Sequence, residues 1–283
     1  GDLGGPKDAP VVVIGFDARH RSADFAHDTA AVVTAAGGLA LLLPRVLPTP
    51  VLAYAIRHLG SDAGVMVTAS HNPPQDNGYK VYLGDGSQIV PPADGQIAAR
   101  IAEVSAVADV PLADGGWETI GEGLVDDYLT AVADLIAADA PRDVSIVHTS
   151  LHGVGDETVR AAFVRAGFPE PHVVASQATP DPDFPTVSFP NPEEAGAIDA
   201  ALALAAEVGP DVVIANDPDA DRCAVAVHDP AHGWRMLRGD EVGVLLGAHV
   251  LDRGVPEGAV VANSIVSSRM LAAVAAAHGV AHE

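Results

Sequence analysis

The sequence predicts an α/β protein built from successive, similar domains, each with a largely parallel sheet. Short apolar runs alternate with segments of helical period, which is the pattern of βαβ units. This strand–helix rhythm restarts after Pro141 and again at Gly239. Apolar residues make up 48% of the 283 residues, and this length suits two or three domains.

The individual elements follow from the position of apolar runs, glycines and prolines. Strands are predicted over 11–16, 39–44, 63–68, 79–83, 143–149, 171–175, 211–215, 223–228 and 259–264, with 234–237 as an edge strand. Helices are predicted over 23–36, 50–59, 92–104, 122–138, from the turn at 152–155 as far as 166, 196–208, 239–253 and from Ser267 onward. Residues 176–195 are rich in proline, lack either period and are predicted to be a connection.

Grouping these elements gives three expected domains: 1–141, 142–237 and 238–283. The third stops after two helices and one strand, where another strand should start, so it is expected to be incomplete.

Composition excludes several classes of function. The net charge of −23 argues against a nucleic-acid partner, because phosphate backbones bind lysine and arginine. No apolar run reaches the ~20 residues of a membrane helix. Cys223 is the only cysteine, which rules out an internal disulfide and favours a reducing cytoplasm. Cys223 starts an apolar run and is expected to lie in the core.

Ser70, in the stretch TASHNPPQDNGYKVY, follows an apolar strand at the end where open α/β sheets place their sites. A catalytic triad is disfavoured, because the adjacent His71 side chain should diverge and no G-x-S-x-G elbow is present. A helix cap is disfavoured by the prolines at 73–74 and the Asn-Gly pair at 77–78, which favour turns. Two interpretations stay open: an ordinary turn hydroxyl, or a serine that carries or accepts a phosphoryl group with Lys80 facing it.

The stretch ANDPDADRCAV contains three alternating aspartates in an extended turn between two apolar strands: Asp217, Asp219 and Asp221. Period-two spacing puts their carboxylates on one side of the backbone, where they repel unless a cation lies among them. Oxygen-only ligands suit Mg²⁺. An EF-hand loop is excluded, because Arg222 and His228 occupy its glycine and glutamate positions. A solvated acidic turn is the other alternative.

A second Asp-Pro-Asp sequence, Asp181 to Asp183, lies in the proline-rich connection without a third aspartate or flanking strands. It is therefore expected to be an ordinary loop. Arg222 closes the acidic stretch and is a candidate phosphate contact.

In this order, TASHNPPQDNGYKVY, HGVG, PDPDFPTVSFPNPEE and NDPDADRCAVAV resemble the α-D-phosphohexomutase superfamily, with the phosphoglucomutase/phosphopentomutase branch nearest. The resemblance implies successive mixed-sheet α/β domains, four in all. It also implies that this chain holds two domains and the start of a third, and lacks the fourth. Such a fragment is expected to bind Mg²⁺ weakly and to show little turnover.

The resemblance also implies site roles. Ser70 matches a phosphoserine, one of whose phosphate oxygens completes a Mg²⁺ site with the carboxylates of Asp217, Asp219 and Asp221. His71 and Lys80 match active-site residues, and Lys80 is the better candidate for proton transfer, with a pKa that neighbouring Mg²⁺ and Arg222 would lower. Arg222 and Arg19 match phosphate contacts. The roles of Asp17 and Ser22 are open, and the alternative there is a helix start capped by Ser22.

The implied function is a mutase that moves a phosphoryl group between the C1 and C6 (or C5) hydroxyls of a hexose or pentose phosphate, through a sugar bisphosphate. The alternatives are a phosphomannomutase-specific enzyme, a Mg²⁺-dependent phosphatase with a phosphoserine intermediate, and a non-catalytic metal- or partner-binding protein. The sequence does not select the sugar or the oligomeric state.

Overall fold

The computed structural model describes residues 9–283. The strands are β1 (Val11–Phe16), β2 (Leu39–Leu42), β3 (Ala63–Val67), β4 (Tyr79–Leu83), β5 (Glu118–Thr119), β6 (Ile146–Thr149), β7 (His172–Val173), β8 (Val212–Asn216), β9 (Cys223–Asp229), β10 (Gly233–Met236), β11 (Val260–Val261) and β12 (Ala281–His282). The α-helices are α1 (Ser22–Ala35), α2 (Thr49–Leu59), α3 (Ala93–Ala102), α4 (Gly123–Ala133), α5 (Asp156–Arg165), α6 (Ala175–Ala178), α7 (Asp199–Val208), α8 (Gly239–Asp252) and α9 (Met270–Ala277).

The first sheet has the order β4-β3-β1-β2-β5, with β4 antiparallel and the other strands parallel. The two faces of this sheet pack against different helices, because neighbouring side chains on a strand point in opposite directions. Ile14 packs with the α1 residues Ala26 and Ala30 on one face. Val13 packs with α2 and α4 on the other. The serine loop is the connection from β3 to β4.

The second sheet has the order β10-β9-β8-β6-β7, again with a parallel centre and antiparallel strands at one side. β8 and β9 form a hairpin, and the acidic stretch is its turn. Alternate β8 and β9 residues such as Val213 and Ala224 pack against α7. The predicted edge strand at 234–237 is confirmed as β10. The two sheets therefore each place a candidate loop beside an antiparallel strand.

The last 45 residues form α8, α9 and a two-stranded parallel sheet of β11 and β12. The α/β fold with mixed sheets is confirmed. The boundaries 1–141, 142–237 and 238–283 stay predictions, and residues 1–8 of the first lie outside the described part. No helix within residues 9–283 is long and apolar enough to cross a membrane.

Several element predictions are wrong in extent. The strand predicted over 171–175 is only β7, because the chain turns into α6 at Ala175. The strand predicted over 259–264 is only β11. The two-residue strand β5 was missed, since Glu118 and Thr119 are both exposed and polar and give no apolar run. Cys223 is exposed rather than buried, because it lies at the start of β9 next to the turn.

Candidate active site

The serine loop holds Ser70 in an uncommon backbone conformation. Ser70 has φ +52°, in the left-handed region that residues with a side chain rarely adopt. It is 7% exposed, and its N–H donates to Thr68 Oγ1 at 2.9 Å. The next element is β4, so Ser70 caps no helix. A strained, buried serine on a loop that leaves a sheet is typical of a functional position.

The Ser70 hydroxyl has partners on both domains. It donates to Asp217 Oδ2 at 2.7 Å, across 147 positions of sequence. His71 Nδ1 lies 3.2 Å from Ser70 Oγ, so the prediction that the serine and histidine side chains diverge is wrong. Within residues 9–283 no carboxylate pairs with the other His71 ring nitrogen, and the serine–histidine–acid geometry of hydrolases is not formed.

Arg19, in the connection that follows β1, holds the serine loop in place through side-chain hydrogen bonds. Its guanidinium, on a residue 4% exposed, donates to four backbone carbonyl oxygens of the loop: Ser70 at 2.9 Å, Asn72 at 2.5 Å, Pro73 at 2.7 Å and Asp76 at 3.2 Å. Its Nε lies 3.5 Å from Asp17 Oδ2. The phosphate contact proposed for Arg19 stays a prediction, and this geometry favours a role in holding the loop.

Asp17 and Ser22 support that arrangement. The Ser22 hydroxyl donates to Asp17 Oδ1 at 2.6 Å, and the Arg19 N–H donates to the same oxygen at 3.0 Å. Ser22 is the first residue of α1, but its side chain makes no cap bond to the helix. The alternative of a Ser22 cap is therefore wrong.

The three aspartates of the acidic loop converge. One carboxylate oxygen of each of Asp217, Asp219 and Asp221 lies within 4.8 Å of the others. Asp217 and Asp219 are fully buried, whereas the Asp221 side chain is 27% exposed. Ala220, with φ +54°, turns the chain between the second and third aspartate. The expected grouping of carboxylates on one side of the turn is present.

The pKa values of the two buried carboxyls, Asp217 and Asp219, are shifted in opposite directions. Burial first, and the Asp219 charge next, raise the pKa of Asp217 to about 7. For Asp219 burial also acts to raise the pKa, but the adjacent Lys80 ammonium outweighs it and holds that pKa below its usual range. The pair therefore accommodates a proton on Asp217 near neutrality when no cation compensates it.

This difference predicts a pH-dependent stability for the metal-free chain. The folded Asp217 carboxyl binds a proton between about pH 4 and 7, where the unfolded one does not, so stability falls as pH rises through that window. Asp217→Asn removes the charge. We therefore expect its free energy of unfolding to exceed that of wild type by roughly 1–3 kcal/mol at pH 8 in EDTA, and to differ little from it at pH 4. Urea unfolding at both pH values measures this.

Asp181→Asn is the matched control for that experiment, because Asp181 belongs to the second Asp-Pro-Asp sequence. It should follow the wild-type pH dependence. An equal fall in stability between pH 4 and 8 for Asp217→Asn and wild type would contradict the assignment.

Lys80 reaches from β4 of the first domain into the acidic loop of the second. Its Nζ donates to Asp219 Oδ2 at 2.7 Å and also to Asp221 Oδ2. Burial acts to lower the pKa of Lys80, but the two carboxylates outweigh it and the pKa is raised. The lowered pKa was expected beside Mg²⁺ and Arg222; in the metal-free chain the two carboxylates determine the direction, so that expectation stays a prediction for the metal-bound site.

Arg222 lies at the rim of the site. Its side chain is 53% exposed, and Nε is 3.9 Å from Asp221 Oδ1. The pKa of His71 is lowered, by burial first and by the Arg222 charge next, so these two side chains are neighbours. The rim position leaves Arg222 free to meet an anion that enters from solvent.

Sequence reasoning missed the residues that support the acidic loop. Asn216 Nδ2 donates to the Arg222 carbonyl oxygen at 2.8 Å and closes the turn. The Asn216 side-chain oxygen lies 3.0 Å from Nε2 of His148, which is fully buried on β6. Gly153 of the HGVG motif lies so near that a Cβ would be 2.3 Å from the Pro218 backbone. Asn216, directly before Asp217, was the one sequence feature that could have indicated a residue supporting the acidic loop.

The donor set fits a hard divalent cation. Asp219 Oδ1 is buried and has no hydrogen-bond partner among the described residues, which is costly for an ionised oxygen. Two further carboxylates and the Ser70 hydroxyl lie beside it, and all are oxygen ligands. Asp217, Asp219 and Asp221 are the residues that would hold such an ion.

Comparison with known proteins agrees with this geometry. The sequence matches the family described as phosphoglucomutase/phosphomannomutase, with alpha/beta/alpha domain I over residues 3–108 and alpha/beta/alpha domain II over residues 126–233. A Haemophilus influenzae protein named "Probable phosphomannomutase" is 51% identical over 94% of this chain and 56% of its own length. The Mus musculus phosphopentomutase is 39% identical over 95% of this chain and 47% of its own length.

The chain thus spans about half the length of the curated relatives it matches. A crystal structure of a phosphoglucomutase/phosphomannomutase family protein from Burkholderia thailandensis has the same fold, with a TM-score of 0.79 and 24% identity over 96% of this chain and 57% of that one. The serine and acidic loops lie in the two matched domains. The chain belongs to the phosphoglucomutase/phosphomannomutase family and carries its domains I and II.

Proposed function

We propose that this chain carries the phosphoryl-transfer centre of a phosphosugar mutase, with Ser70 as the residue that holds the phosphoryl group. The observation that supports this most is the 2.7 Å hydrogen bond from Ser70 Oγ to Asp217. It joins a buried hydroxyl of domain I to a cluster of three carboxylates in domain II. An ordinary turn serine would require neither a cluster of carboxylates beside its hydroxyl nor an arginine that holds its loop in place, as Arg19 does here.

The chemistry is a pair of transfers. The phosphoryl group of phosphorylated Ser70 passes to the free hydroxyl of a sugar monophosphate; the bond to Ser70 Oγ breaks as the bond to the sugar oxygen forms. The resulting bisphosphate then returns its other phosphoryl group to Ser70 and leaves as the isomeric monophosphate. In the first transfer the sugar hydroxyl loses its proton and Ser70 Oγ gains one; in the second the Ser70 hydroxyl loses its proton and the other sugar oxygen gains one.

Lys80 is the proposed residue for those proton movements: its ammonium gives a proton to the leaving Ser70 Oγ, and the amine so formed takes the proton of the sugar hydroxyl. Its ammonium faces the acidic loop beside Ser70, and a positioned side chain of this kind transfers protons or stabilises the developing oxygen charge. His71, 3.2 Å from Ser70 Oγ, and Arg222, at the rim, are the proposed contacts to the phosphoryl oxygens.

A bound Mg²⁺ would supply charge compensation for the transferring phosphoryl group. Asp217, Asp219 and Asp221 are its proposed ligands. Mg²⁺ is preferred over softer metals because the donors are carboxylate and hydroxyl oxygens without histidine or cysteine.

The proposed substrates are hexose or pentose monophosphates, with transfer between C1 and C6 or C5. The names of the relatives, phosphomannomutase and phosphopentomutase, support this class without choosing within it. A phosphatase that uses the same phosphoserine is the second candidate, because the Arg222 rim is open to water. A cytoplasmic location stays a prediction.

One experiment separates mutase from phosphatase. The chain is labelled with [³²P]glucose 1,6-bisphosphate and Mg²⁺, freed of ligand, and mixed with glucose, mannose or ribose 1-phosphate. We expect transfer to be slow, because this chain is expected to show little turnover, and the label to move to a sugar bisphosphate in preference to water, since a bound sugar hydroxyl is an oriented acceptor. Chromatography of the quenched mixture measures both products.

Free phosphate as the main product, at a rate unaffected by any sugar monophosphate, would support the phosphatase. A chain that takes up no label would overturn the transfer function itself.

A further inference from the structure

Thr49, the first residue of α2, connects the two domains at the acidic loop. It is 3% exposed. Its backbone N–H donates to the Asp219 carbonyl oxygen at 2.9 Å, and its Oγ1 donates to Asp219 Oδ2 at 2.5 Å. One residue of domain I therefore holds both the main chain and the side chain of one residue of domain II.

Helix capping does not explain the Thr49 hydroxyl. The N-cap residue of α2 is Pro48, and no side chain caps the helix. The first N–H groups of a helix lack partners within the helix, and the Asp219 carbonyl satisfies one of them. The hydroxyl is thus not needed to start α2, and its one described partner is the carboxylate.

The bonds to Asp219 divide the roles of its two oxygens. Oδ2 accepts from both Thr49 Oγ1 and Lys80 Nζ. Oδ1 is buried and accepts from no described residue. Two donors on one oxygen restrict rotation of the carboxylate, and charge-assisted bonds of this length are among the stronger ones. Oδ1 is therefore the oxygen left for a cation.

We propose that Thr49 is a positioning residue for the metal site: its hydroxyl orients Asp219 so that Oδ1 faces the cation, and it fixes the acidic loop against the serine loop. This inference rests on the proposed function of the acidic loop. Groups that orient metal ligands from outside the coordination shell typically change metal affinity 10–100-fold when removed. Lys80 alone does not replace the hydroxyl, because its flexible ammonium is shared with Asp221.

The test compares Thr49→Val, which removes the hydroxyl at nearly constant volume, with Thr49→Ser, which keeps it. Titration calorimetry with Mg²⁺, and with Mn²⁺ as a second probe, measures the Kd of the whole chain. We expect Thr49→Val to weaken binding about 10-fold or more and Thr49→Ser to stay within about threefold of wild type. Every variant retains the backbone N–H bond to Asp219.

Thr158→Val is the matched control, since Thr158 is 5% exposed and its hydroxyl has no described partner. It should leave the Kd unchanged. Urea unfolding in EDTA is measured in parallel, because a purely structural role would change the free energy of unfolding and leave the metal Kd of the folded chain as it was.

The outcomes distinguish this inference from the function on which it rests. Wild type that binds neither ion overturns the metal site. Wild type that binds, with Thr49→Val binding equally well, overturns the role of Thr49 and leaves the metal site standing. If Thr49→Val does not fold, Thr49→Cys keeps the size with a weaker donor, and wild-type affinity in that variant overturns the inference.

Discussion

Ser70→Ala is expected to abolish uptake of a phosphoryl group from a sugar bisphosphate while the chain stays folded. The Ser70 hydroxyl is the one described serine or threonine hydroxyl that donates to Asp217, and no other oxygen nucleophile takes that position. Removing a nucleophile leaves only the binding contributions of the remaining residues. Rapid-quench labelling with [³²P]glucose 1,6-bisphosphate measures the loss.

Ser150→Ala is the control for that variant. Ser150 also follows the end of a parallel strand, in the second sheet, and is fully buried, but its hydroxyl donates to the Gln177 carbonyl oxygen at 3.0 Å. It should keep wild-type labelling and lose only a modest amount of stability, on the order of 1 kcal/mol. Labelling of Ser70→Ala at the wild-type level would place the phosphoryl acceptor elsewhere.

Lys80→Met has the second-largest expected effect, on both stability and transfer. Lys80 is 17% exposed and compensates Asp219, whose side chain is fully buried. Removing one partner of a buried ion pair costs roughly 3–5 kcal/mol, because the other charge is left unpaired. Loss of a proton-transferring side chain lowers the rate of transfer by about 10²–10⁴-fold. Urea unfolding in EDTA and single-turnover labelling measure the two effects.

Adding Mg²⁺ separates the effect of Lys80→Met on stability from its effect on the transfer rate. A cation held by the same carboxylates replaces the missing positive charge, so saturating Mg²⁺ should recover much of the stability of Lys80→Met without recovering its transfer rate. Arg222→Met is the comparison, because its exposed side chain should contribute less than about 1 kcal/mol. Equal destabilisation by both variants, or recovery of the transfer rate with Mg²⁺, would contradict the assigned role of Lys80.

The sequence was sufficient for the parts of this fold that depend on local patterns. Strands such as β1 and β3 are apolar runs bounded by polar residues or proline, and their alternation with amphipathic helices predicts the α/β architecture. The acidic loop was recognisable because its three carboxylates are close in sequence as well as in space. Ser70 was recognisable as a candidate because turn residues follow a buried strand.

Contacts between the domains were not predictable in the same way. Thr49 lies 170 positions from Asp219, and nothing near Thr49 in sequence suggests a partner other than its own helix. Arg19 was assigned to phosphate from the family resemblance, yet its donors are directed at four carbonyls of the serine loop. The raised pKa of Lys80 depends on the same long-range approach of Asp219.

The central claim is that domains I and II together form one phosphoryl-transfer site around Ser70. Peptide mapping by mass spectrometry, after incubation of the whole chain with glucose 1,6-bisphosphate and Mg²⁺, tests it most directly. We predict a single adduct of about 80 Da on Ser70, formed much more slowly in EDTA. An adduct on another residue, or none on Ser70 in wild type that binds Mg²⁺, would contradict it.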